Sequence, residues 1–307
     1  MALIFGVSAL FSCKGENGPV EVTGEINYGY ILKLNAQLWS IYEDTKAETD
    51  KLTWIGSLSL GEKVETGEIR QATYPNSELV DDVIEIKSDS GIKGYVLSRD
   101  IAVGGQLAVV IDRSFRYSWS RDTDRLGGSV SRGTVAVCYP DTESDGFIKT
   151  VCFEPVGRVY FTRPDYMRLS SLSGNESDIQ SSILLQTALS LNEIEKVRRD
   201  ALLEQALLSY PDSEFHAEIE AYLYPDTDGV IETEAVGFYM TVFNSVKVRD
   251  LPDAVNGTEI DTLYSGVVLI GEQTSSMYII DGRVARWYRV ISPIEGWVFG
   301  YNLVNRR

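Results

Sequence analysis

The sequence predicts a mainly β protein built from several small units in tandem, with an α-helical segment before the last unit. A short motif occurs three times along the chain, which indicates repeated units. In one internal stretch the apolar residues recur about every 3.6 residues, the period of a helix, instead of about every 2 residues, the period of a strand. The strongest hairpin signal follows that stretch. A chain of 307 residues is long enough for several such units.

The repeated motif is a small hydroxyl residue, an aliphatic residue, two variable positions and a glycine. Its copies occupy residues 57–61, 129–133 and 262–266. We expect each aliphatic residue (Leu58, Val130, Leu263) to anchor a loop in a small core. Each glycine should let the backbone turn into the next strand. The repetition favours an array of small domains.

The N-terminus has the pattern of a secretory signal. Residues 2–11 are an uninterrupted run of small and apolar side chains, too short to span a bilayer as a helix. Leu10-Phe11-Ser12-Cys13 resembles a bacterial lipobox, whose cysteine becomes the lipidated first residue of the mature protein. We therefore predict a signal peptide at 1–12, lipid attachment at Cys13 and a polar tether at 13–24. The alternative is a buried first strand with an ordinary cysteine.

Two β-rich units follow the tether. In the first, 25–104, short apolar stretches such as Val83–Ile86 are cut by turn residues. The second, 105–172, opens with the apolar run 107–111 and continues through 133–139. Residues 141–146 imitate half of a calcium loop, but the twelfth position is Cys152, so a solvated hairpin loop is predicted there.

The segment 173–227 is predicted to be helical, because glycine nearly vanishes and apolar residues recur at helical spacing. Asn192 and Glu195 suit a capping box, and Pro211 ends the helix that they open. The apolar residues of these helices are expected to bury against one another. They are Ile179, Ile183, Leu184, Ile194, Val197, Ala201, Leu202 and Leu208.

The last unit, 228–307, carries the clearest strand pattern. Residues 246–249 alternate like a half-buried strand, and Asn256-Gly257 is a turn signal. Asp281-Gly282 lies between two apolar runs and predicts a tight hairpin.

The order of motifs in this unit resembles a bacterial SH3 domain. The motifs are Val246–Pro252, Thr262–Gly266, Arg286–Val290 and Gly296–Tyr301. The first unit is similar, with Val83–Ile86 in place of the aromatic pair, and the second keeps Val130–Gly133 and Tyr166–Leu169. The resemblance implies small five-stranded β-barrels in tandem. With the lipobox, the chain resembles spirochaete-type envelope lipoproteins whose tandem SH3 domains bind cell-wall peptides or other envelope proteins.

Composition and residue types limit the chemistry. A formal charge of −17 disfavours a nucleic-acid partner. The one histidine, His216, lies in a helical run, where a structural role is expected. The sequence has no zinc spacing and no phosphate-binding loop, so we predict no metal, no cofactor and no catalytic residue. Cys138 and Cys152 could form a disulfide if their strands are neighbours, or stay separate buried thiols.

Aromatic residues of the last unit are the candidate ligand groove, by analogy with the family that the unit resembles. Trp287 and Tyr288 must face opposite sides of a strand, so one is expected in the core and the other in the groove. Trp297 and Tyr301 complete the groove, unless these rings only fill the core.

These observations predict a non-catalytic, lipid-anchored protein of the bacterial cell envelope. Its partner is expected to be cell-wall peptide or an envelope protein, and its membrane contact the lipid anchor. The alternative is a structural or adhesive surface protein with the barrels as spacers. A divergent cell-wall hydrolase ranks last.

Overall fold

The computed structural model describes residues 27–42, 50–74, 77–112, 114–117, 126–156, 159–161, 165–224 and 231–305. The fold is mainly β, which confirms the predicted class. The chain divides into two compact units, Met1–Gly105 and Gln106–Arg307. The predicted signal peptide, the tether and Cys13 lie outside the described residues.

Three seven-stranded sheets contain most of the strands, and we call them module 1 (27–103), module 2 (106–173) and module 3 (233–305). The strands of module 1 are β1 (Asn27–Ile31), β2 (Ala36–Tyr42), β3 (Asp50–Leu58), β4 (Lys63–Thr73), β5 (Val80–Ser88), β6 (Lys93–Leu97) and β7 (Ile101–Val103). The sheet of module 2 consists of β8 (Gln106–Val110), β9 (Ser114–Tyr117), β10 (Leu126–Val130), β11 (Val135–Ser144), β12 (Phe147–Cys152), β15 (Asp165–Arg168) and β16 (Leu172–Ser173). A separate hairpin comprises β13 (Glu154–Val156) and β14 (Val159–Phe161).

Module 3 repeats this plan. Its sheet consists of β17 (Thr233–Val242), β18 (Val246–Arg249), β19 (Glu259–Leu263), β20 (Gly266–Thr274), β23 (Trp287–Ser292), β24 (Gly296–Phe299) and β25 (Leu303–Asn305). The hairpin of β21 (Tyr278–Ile280) and β22 (Arg283–Ala285) lies outside the sheet. Asp281 and Gly282 join its strands with φ of 52° and 71°, which confirms the predicted tight turn.

The three sheets have the same strand order. Numbered from one to seven within each module, the strands run 3-2-6-5-4-1-7. A 3₁₀ helix joins the sixth strand to the seventh in every module: Ser98–Asp100, Leu169–Ser171 and Gly300–Asn302. The residue after the first strand donates its N–H to the last carbonyl of that helix, at 2.9 Å from Leu32, Ile111 and Phe243 alike. The modules are therefore structural repeats of one another.

The repeated sequence motif joins the third strand to the fourth in each module. Leu58, Val130 and Leu263 are all buried, as expected. Gly61, Gly133 and Gly266 have φ of 77°, 84° and 112°, in the region that favours glycine. The predicted role of the motif is confirmed.

Among the described residues after module 2 there are three helices: α1 (Glu176–Leu189), α2 (Lys196–Ser209) and α3 (His216–Leu223). Asn192 Oδ1 accepts from Ile194 N at 2.9 Å and caps a 3₁₀ turn, Glu193–Glu195, that leads into α2. Phe215, Leu203 and Ile219 form a buried cluster with Val109 of β8, so the helices pack on module 2. No helix among the described residues is long and apolar enough to cross a membrane.

The predicted burial of the second helix is wrong on one face. Ile194, Val197 and Leu208 are 95%, 85% and 84% exposed. Ala201 is also exposed, whereas Leu203 and Ala206 are buried. The sequence offers two apolar faces on this helix, and the face with Leu203 is the one that packs on α1 and α3.

Candidate functional site

The same corner of each module brings together the start of the fifth strand, the end of the sixth strand and the 3₁₀ helix. We call this corner the rim. Rim 1 comprises Asp81, Val83, Leu97 and Arg99; rim 2 comprises Asp145, Gly146, Phe147, Arg168, Leu169 and Ser170; rim 3 comprises Arg286, Trp287, Phe299, Gly300 and Tyr301.

Strand register establishes which rim residues are equivalent. Trp287 lies opposite Phe299 in module 3, Phe147 opposite Arg168 in module 2, and Val83 opposite Leu97 in module 1. The backbone agrees, since Gly300 N donates to Arg286 O at 2.9 Å and Leu169 N donates to Gly146 O at 2.8 Å. Arg168 thus stands where the other modules have an apolar side chain.

Rim 3 is filled by aromatic packing. Trp287 is 2% exposed, and its ring centroid lies 5.5 Å from that of Phe299. The ring of Tyr288 packs on Gly300, where a Cβ would come within 2.4 Å of Tyr288 Cε2. The guanidinium of Arg283 lies 4.7 Å from the Tyr301 ring centroid.

Rim 1 is closed by a polar network. Arg99 Nη1 lies 3.0 Å from Asp81 Oδ2, and Arg99 Nη2 donates to Tyr74 Oη at 2.9 Å. Tyr74 in turn donates to Asp81 Oδ2 at 3.1 Å. Burial raises the pKa of Tyr74 to about 12, although Arg99 opposes the shift, so the phenol keeps its proton.

Rim 2 carries an open cavity. Its volume is about 520 Å³, and it is lined by Asp145, Gly146, Phe147, Arg168, Leu169 and Ser170. The Arg168 guanidinium lies 5.8 Å from the Phe147 ring centroid, in the range of a cation–π contact. With an arginine in the place of Phe299 or Leu97, the second apolar side chain that fills the other rims is missing. Both signs of charge and two apolar side chains therefore face one space.

The predicted groove residues of module 3 lie beside this corner, with unequal exposure. Trp287 and Trp297 are 2% and 9% exposed, so both indoles belong largely to the module's packing. Tyr288 and Tyr301 are partly exposed. Ligand binding by these four residues stays a prediction.

The helical segment approaches rim 3. Burial raises the pKa of Tyr222 on α3 to about 12, and the charges of Glu218 and Tyr301 add to the shift. Burial also raises the pKa of Tyr288, and Asp112 of module 2 adds to that shift. Helix α3 contacts β21 and β22, so it lies beside module 3.

Arg132 holds module 2 against α3. Arg132 is the fourth residue of the repeated motif, and its Nε lies 3.4 Å from Glu218 Oε2. It donates to the carbonyls of Ile111 and Glu214, and its guanidinium lies 4.7 Å from the Phe215 ring centroid. Burial raises the pKa of the Glu218 carboxyl, with Arg132 opposing the shift.

The candidate disulfide is not formed. Register puts Cys138 opposite Thr150 and Cys152 opposite Ala136, so the two cysteines are diagonal neighbours on adjacent strands. Diagonal pairs are separated by about 7–8 Å, longer than the usual Cα separation of a disulfide.

The described thiol and imidazole groups do not form a nucleophile–base pair. Cys138 Sγ donates to Gln106 O at 3.5 Å, and burial raises the pKa of its thiol, the opposite of what activates a nucleophile. His216 Nε2 lies 3.4 Å from Glu220 Oε1, and its Nδ1 has no hydrogen-bond partner among the described residues. Within the same residues, no cluster of three or more histidine, cysteine or acidic side chains could hold a metal.

Sequence reasoning missed rim 2. The sequence places Arg168 in the family pattern and Asp145 in a hairpin loop, and it marks neither as a site residue. The signal that could have found them is the alignment of the three copies, in which Arg168 falls on Leu97 and Phe299.

No family model matches this chain, and no curated protein matches it. Among solved structures, it is similar to NlpC2 from Trichomonas vaginalis, with 10% identity over 91% of this chain and 98% of that one and a TM-score of 0.19. It is also similar to a candidate autolysin from Listeria monocytogenes, with 8% identity over 91% and 96% and a TM-score of 0.20. NlpC1 from Trichomonas vaginalis matches with 12% identity over 92% and 95% and a TM-score of 0.18.

These likenesses correct the functional interpretation of the sequence. That interpretation ranked a non-catalytic, lipid-anchored binding protein first and a cell-wall hydrolase last. The proteins found are NlpC proteins and a candidate autolysin, which contradicts that order and the prediction that the chain is no enzyme. TM-scores of this size carry neither the fold nor the catalytic residues of those proteins over to this chain.

Proposed function

We propose that this chain takes part in hydrolysis of the bacterial cell wall, and that rim 2 holds the peptide of the wall polymer. The observation that supports the peptide site most strongly is the open cavity of rim 2, whose lining carries both signs of charge. The barrel-like repeats supply the frame, and the residues at one corner supply recognition.

The size of the cavity suits a short peptide. Its volume of about 520 Å³ falls within the range of sites for small ligands, roughly 300–1,000 Å³. Rim 2 lies on the ends of β12 and β15, whose pairing fixes the spacing of its two halves. Sites on paired strands hold a ligand in a defined geometry.

The lining matches the chemistry of a peptide. Arg168 can donate two parallel hydrogen bonds to a peptide carboxylate, and Asp145 can accept from an amine. Phe147 and Leu169 offer apolar surface to a side chain between these ends. Wall peptides combine amine, carboxylate and small apolar groups, whereas the glycan strand offers hydroxyl groups that this lining does not single out.

Incubation of the full chain with purified sacculi tests the proposal. The wild type should bind sacculi and release soluble muropeptides, detected by chromatography and mass spectrometry. Arg168→Ala should lower both by about tenfold or more, because a hydrogen bond to a charged group is worth about 1.5–3 kcal/mol. Arg70→Ala is the matched control, since Arg70 is an exposed strand arginine of module 1 that is paired with Glu68.

The outcomes separate the two parts of the proposal. Binding that depends on Arg168 without released products would overturn hydrolysis and keep the peptide site. Release that Arg168→Ala leaves unchanged would overturn the assignment of rim 2. A wild type that neither binds sacculi nor releases muropeptides would overturn both hydrolysis and the peptide site.

We further infer that the three modules are domains of the bacterial SH3 type. The shared strand order, the glycine that leads into each fourth strand and the 3₁₀ helix before each seventh strand support this. Envelope location through Cys13 also remains our proposal. Metabolic labelling with a fatty acid should mark the native chain and leave Cys13→Ala unlabelled, and label that persists in the variant would contradict the anchor.

A further inference from the structure

The turn between β18 and β19 contains an Asn-Gly pair, Asn256-Gly257. Asn-Gly is the dipeptide most prone to deamidation, because glycine has no side chain to hinder the attack of its nitrogen on the preceding amide. The side chain of Asn256 is exposed to solvent, whereas Gly257 is buried. The chemistry of the pair and its surroundings therefore oppose each other.

Deamidation at this pair needs only water. The nitrogen of Gly257 loses its proton and attacks Cγ of Asn256, so that a new C–N bond closes a five-membered imide and Nδ2 leaves as ammonia. Water then opens the imide at either carbonyl and gives aspartate or isoaspartate. The reaction requires that the Gly257 nitrogen and the Asn256 amide be free to approach each other.

Asp253 binds both of these groups. Its carbonyl oxygen accepts from Gly257 N at 3.2 Å, and its Oδ2 accepts from Asn256 Nδ2 at 2.8 Å. Its Oδ1 accepts from the backbone N of Asn256 at 2.9 Å and from that of Val255 at 2.7 Å. The hydrogen bonds from Asn256, and then the one from Val255, lower the pKa of Asp253, so its carboxylate stays charged.

The peptide of Gly257 has little room to move toward the Asn256 side chain. A Cβ at Gly257 would lie 2.5 Å from the carbonyl oxygen of Asp253 and 2.8 Å from that of Leu251. Arg249 Nη1 donates to the carbonyl oxygen of Gly257. The N–H and the carbonyl of this residue are thus both held by hydrogen bonds.

We propose that Asn256 is a deamidation site that Asp253 protects, so that the modification proceeds only from molecules in which the turn has opened. Local opening of this kind occurs in native proteins, and a reaction of the open form follows its population. Aspartate at position 256 would place a second carboxylate beside Asp253 Oδ2, and isoaspartate would lengthen the backbone next to the tightly packed Gly257. Either product therefore disfavours closing of the turn.

Peptide mass spectrometry of the full chain, incubated in mildly alkaline buffer, tests the proposal. The readout is the mass gain that follows replacement of the amide NH₂ by OH, with isoaspartyl methyltransferase labelling as a second measure. Folded wild type should react at Asn256 at least about tenfold more slowly than the same chain in urea. Asp253→Ala should raise the rate in the folded chain by about tenfold, the size of effect expected from losing hydrogen bonds to a charged acceptor.

Two further variants separate the hydrogen bonds from other effects. Asp253→Asn keeps one acceptor oxygen and should react at an intermediate rate. Asp261→Ala is the matched control, because it removes an aspartate of the same module whose carboxylate accepts from Thr262 N, and it should react as the wild type does.

Global unfolding is accounted for by urea denaturation of each chain. The unfolded fraction multiplied by the rate in urea gives the rate that unfolding alone would produce, and the rate of Asp253→Ala should exceed it. Equal rates for folded and unfolded wild type, or an order other than wild type, Asp253→Asn, Asp253→Ala, would overturn the proposal. None of these measurements involves the cell wall, so the result is independent of the function proposed for rim 2.

Discussion

Modules 2 and 3 share one strand order and differ at the same corner. In module 3 the rings of Trp287 and Phe299 pack together and fill the rim. In module 2 Phe147 faces Arg168, and a cavity of about 520 Å³ remains. Module 2 has Phe147, Arg168 and Ser170 at the positions of Trp287, Phe299 and Tyr301 in module 3. The open rim therefore goes with smaller and charged side chains.

The repeated motif shows a second difference between the modules. Its fourth position is Arg132 in module 2 and Ser265 in module 3. Arg132 pairs with Glu218 of α3, lies over the Phe215 ring and donates to the carbonyl of Glu214, whereas Ser265 is exposed. The motif forms the turn in both modules, but only in module 2 does its fourth residue also contact the helical segment.

The largest expected effect comes from removing this arginine. Arg132→Ala should lower the free energy of unfolding by about 3–5 kcal/mol, because it leaves the largely buried Glu218 carboxylate without its partner. Urea denaturation of the full chain measures the loss. Ser265→Ala is the control in module 3 and should change stability by less than about 0.5 kcal/mol. Equal effects of the two substitutions would show that Arg132 does not dock the helices.

A smaller effect is expected from the glycine that begins β24. A Cβ at Gly296 would lie 2.5 Å from Val248 Cγ1, so Gly296→Ala should cost about 1–3 kcal/mol of stability through overpacking. Module 2 has Asp165 at the equivalent register position. Gly237→Ala, with nothing within 4 Å of the added Cβ, should stay within about 1 kcal/mol of the wild type. Denaturant unfolding that ranks Gly237→Ala as the more harmful change would contradict the packing argument.

Local signals allowed much of the fold to be predicted. Gly61, Gly133 and Gly266 were recognised as turn positions because few other residues adopt positive φ. Asp281-Gly282 was recognised as a hairpin because its dipeptide favours one turn type. Such features depend on a few neighbouring residues, which the sequence displays directly.

Features that depend on pairing between distant segments were missed. The importance of Arg168 emerges only when its strand is set in register with Phe147 and compared with Phe299. Ile194 was expected in the core because periodicity reports an apolar face without saying which face meets the protein. The docking role of Arg132 depends on Glu218, 86 residues away in the chain.

The modules also differ at the last residue of the 3₁₀ helix, which is Asp100 in module 1 and Asn302 in module 3. This difference should make stability depend on pH. Burial raises the pKa of the Asp100 carboxyl, with Lys33 opposing the shift at 3.2 Å. A raised pKa in the folded state means that stability is greatest below the ordinary pKa of the group and falls as pH rises through the folded value. Asp100→Asn should remove this decline.

Urea titrations between about pH 3.5 and 7 would measure the decline in stability that Asp100 causes. The wild type should lose stability relative to Asp100→Asn across that interval, and the difference should be the smallest of the three stability effects. A difference that grows in the opposite direction would mean that the pair with Lys33 outweighs burial.

The most direct test of the account is the affinity of a labelled wall peptide for the wild type and for Arg168→Phe, measured by fluorescence anisotropy. Arg168→Phe gives module 2 the residue of module 3, so it should fill rim 2, weaken binding by about tenfold or more and leave the free energy of unfolding within about 0.5 kcal/mol. Arg70→Phe should bind as the wild type does. Undiminished binding by Arg168→Phe, or no binding by the wild type, would contradict the claim that rim 2 is the site.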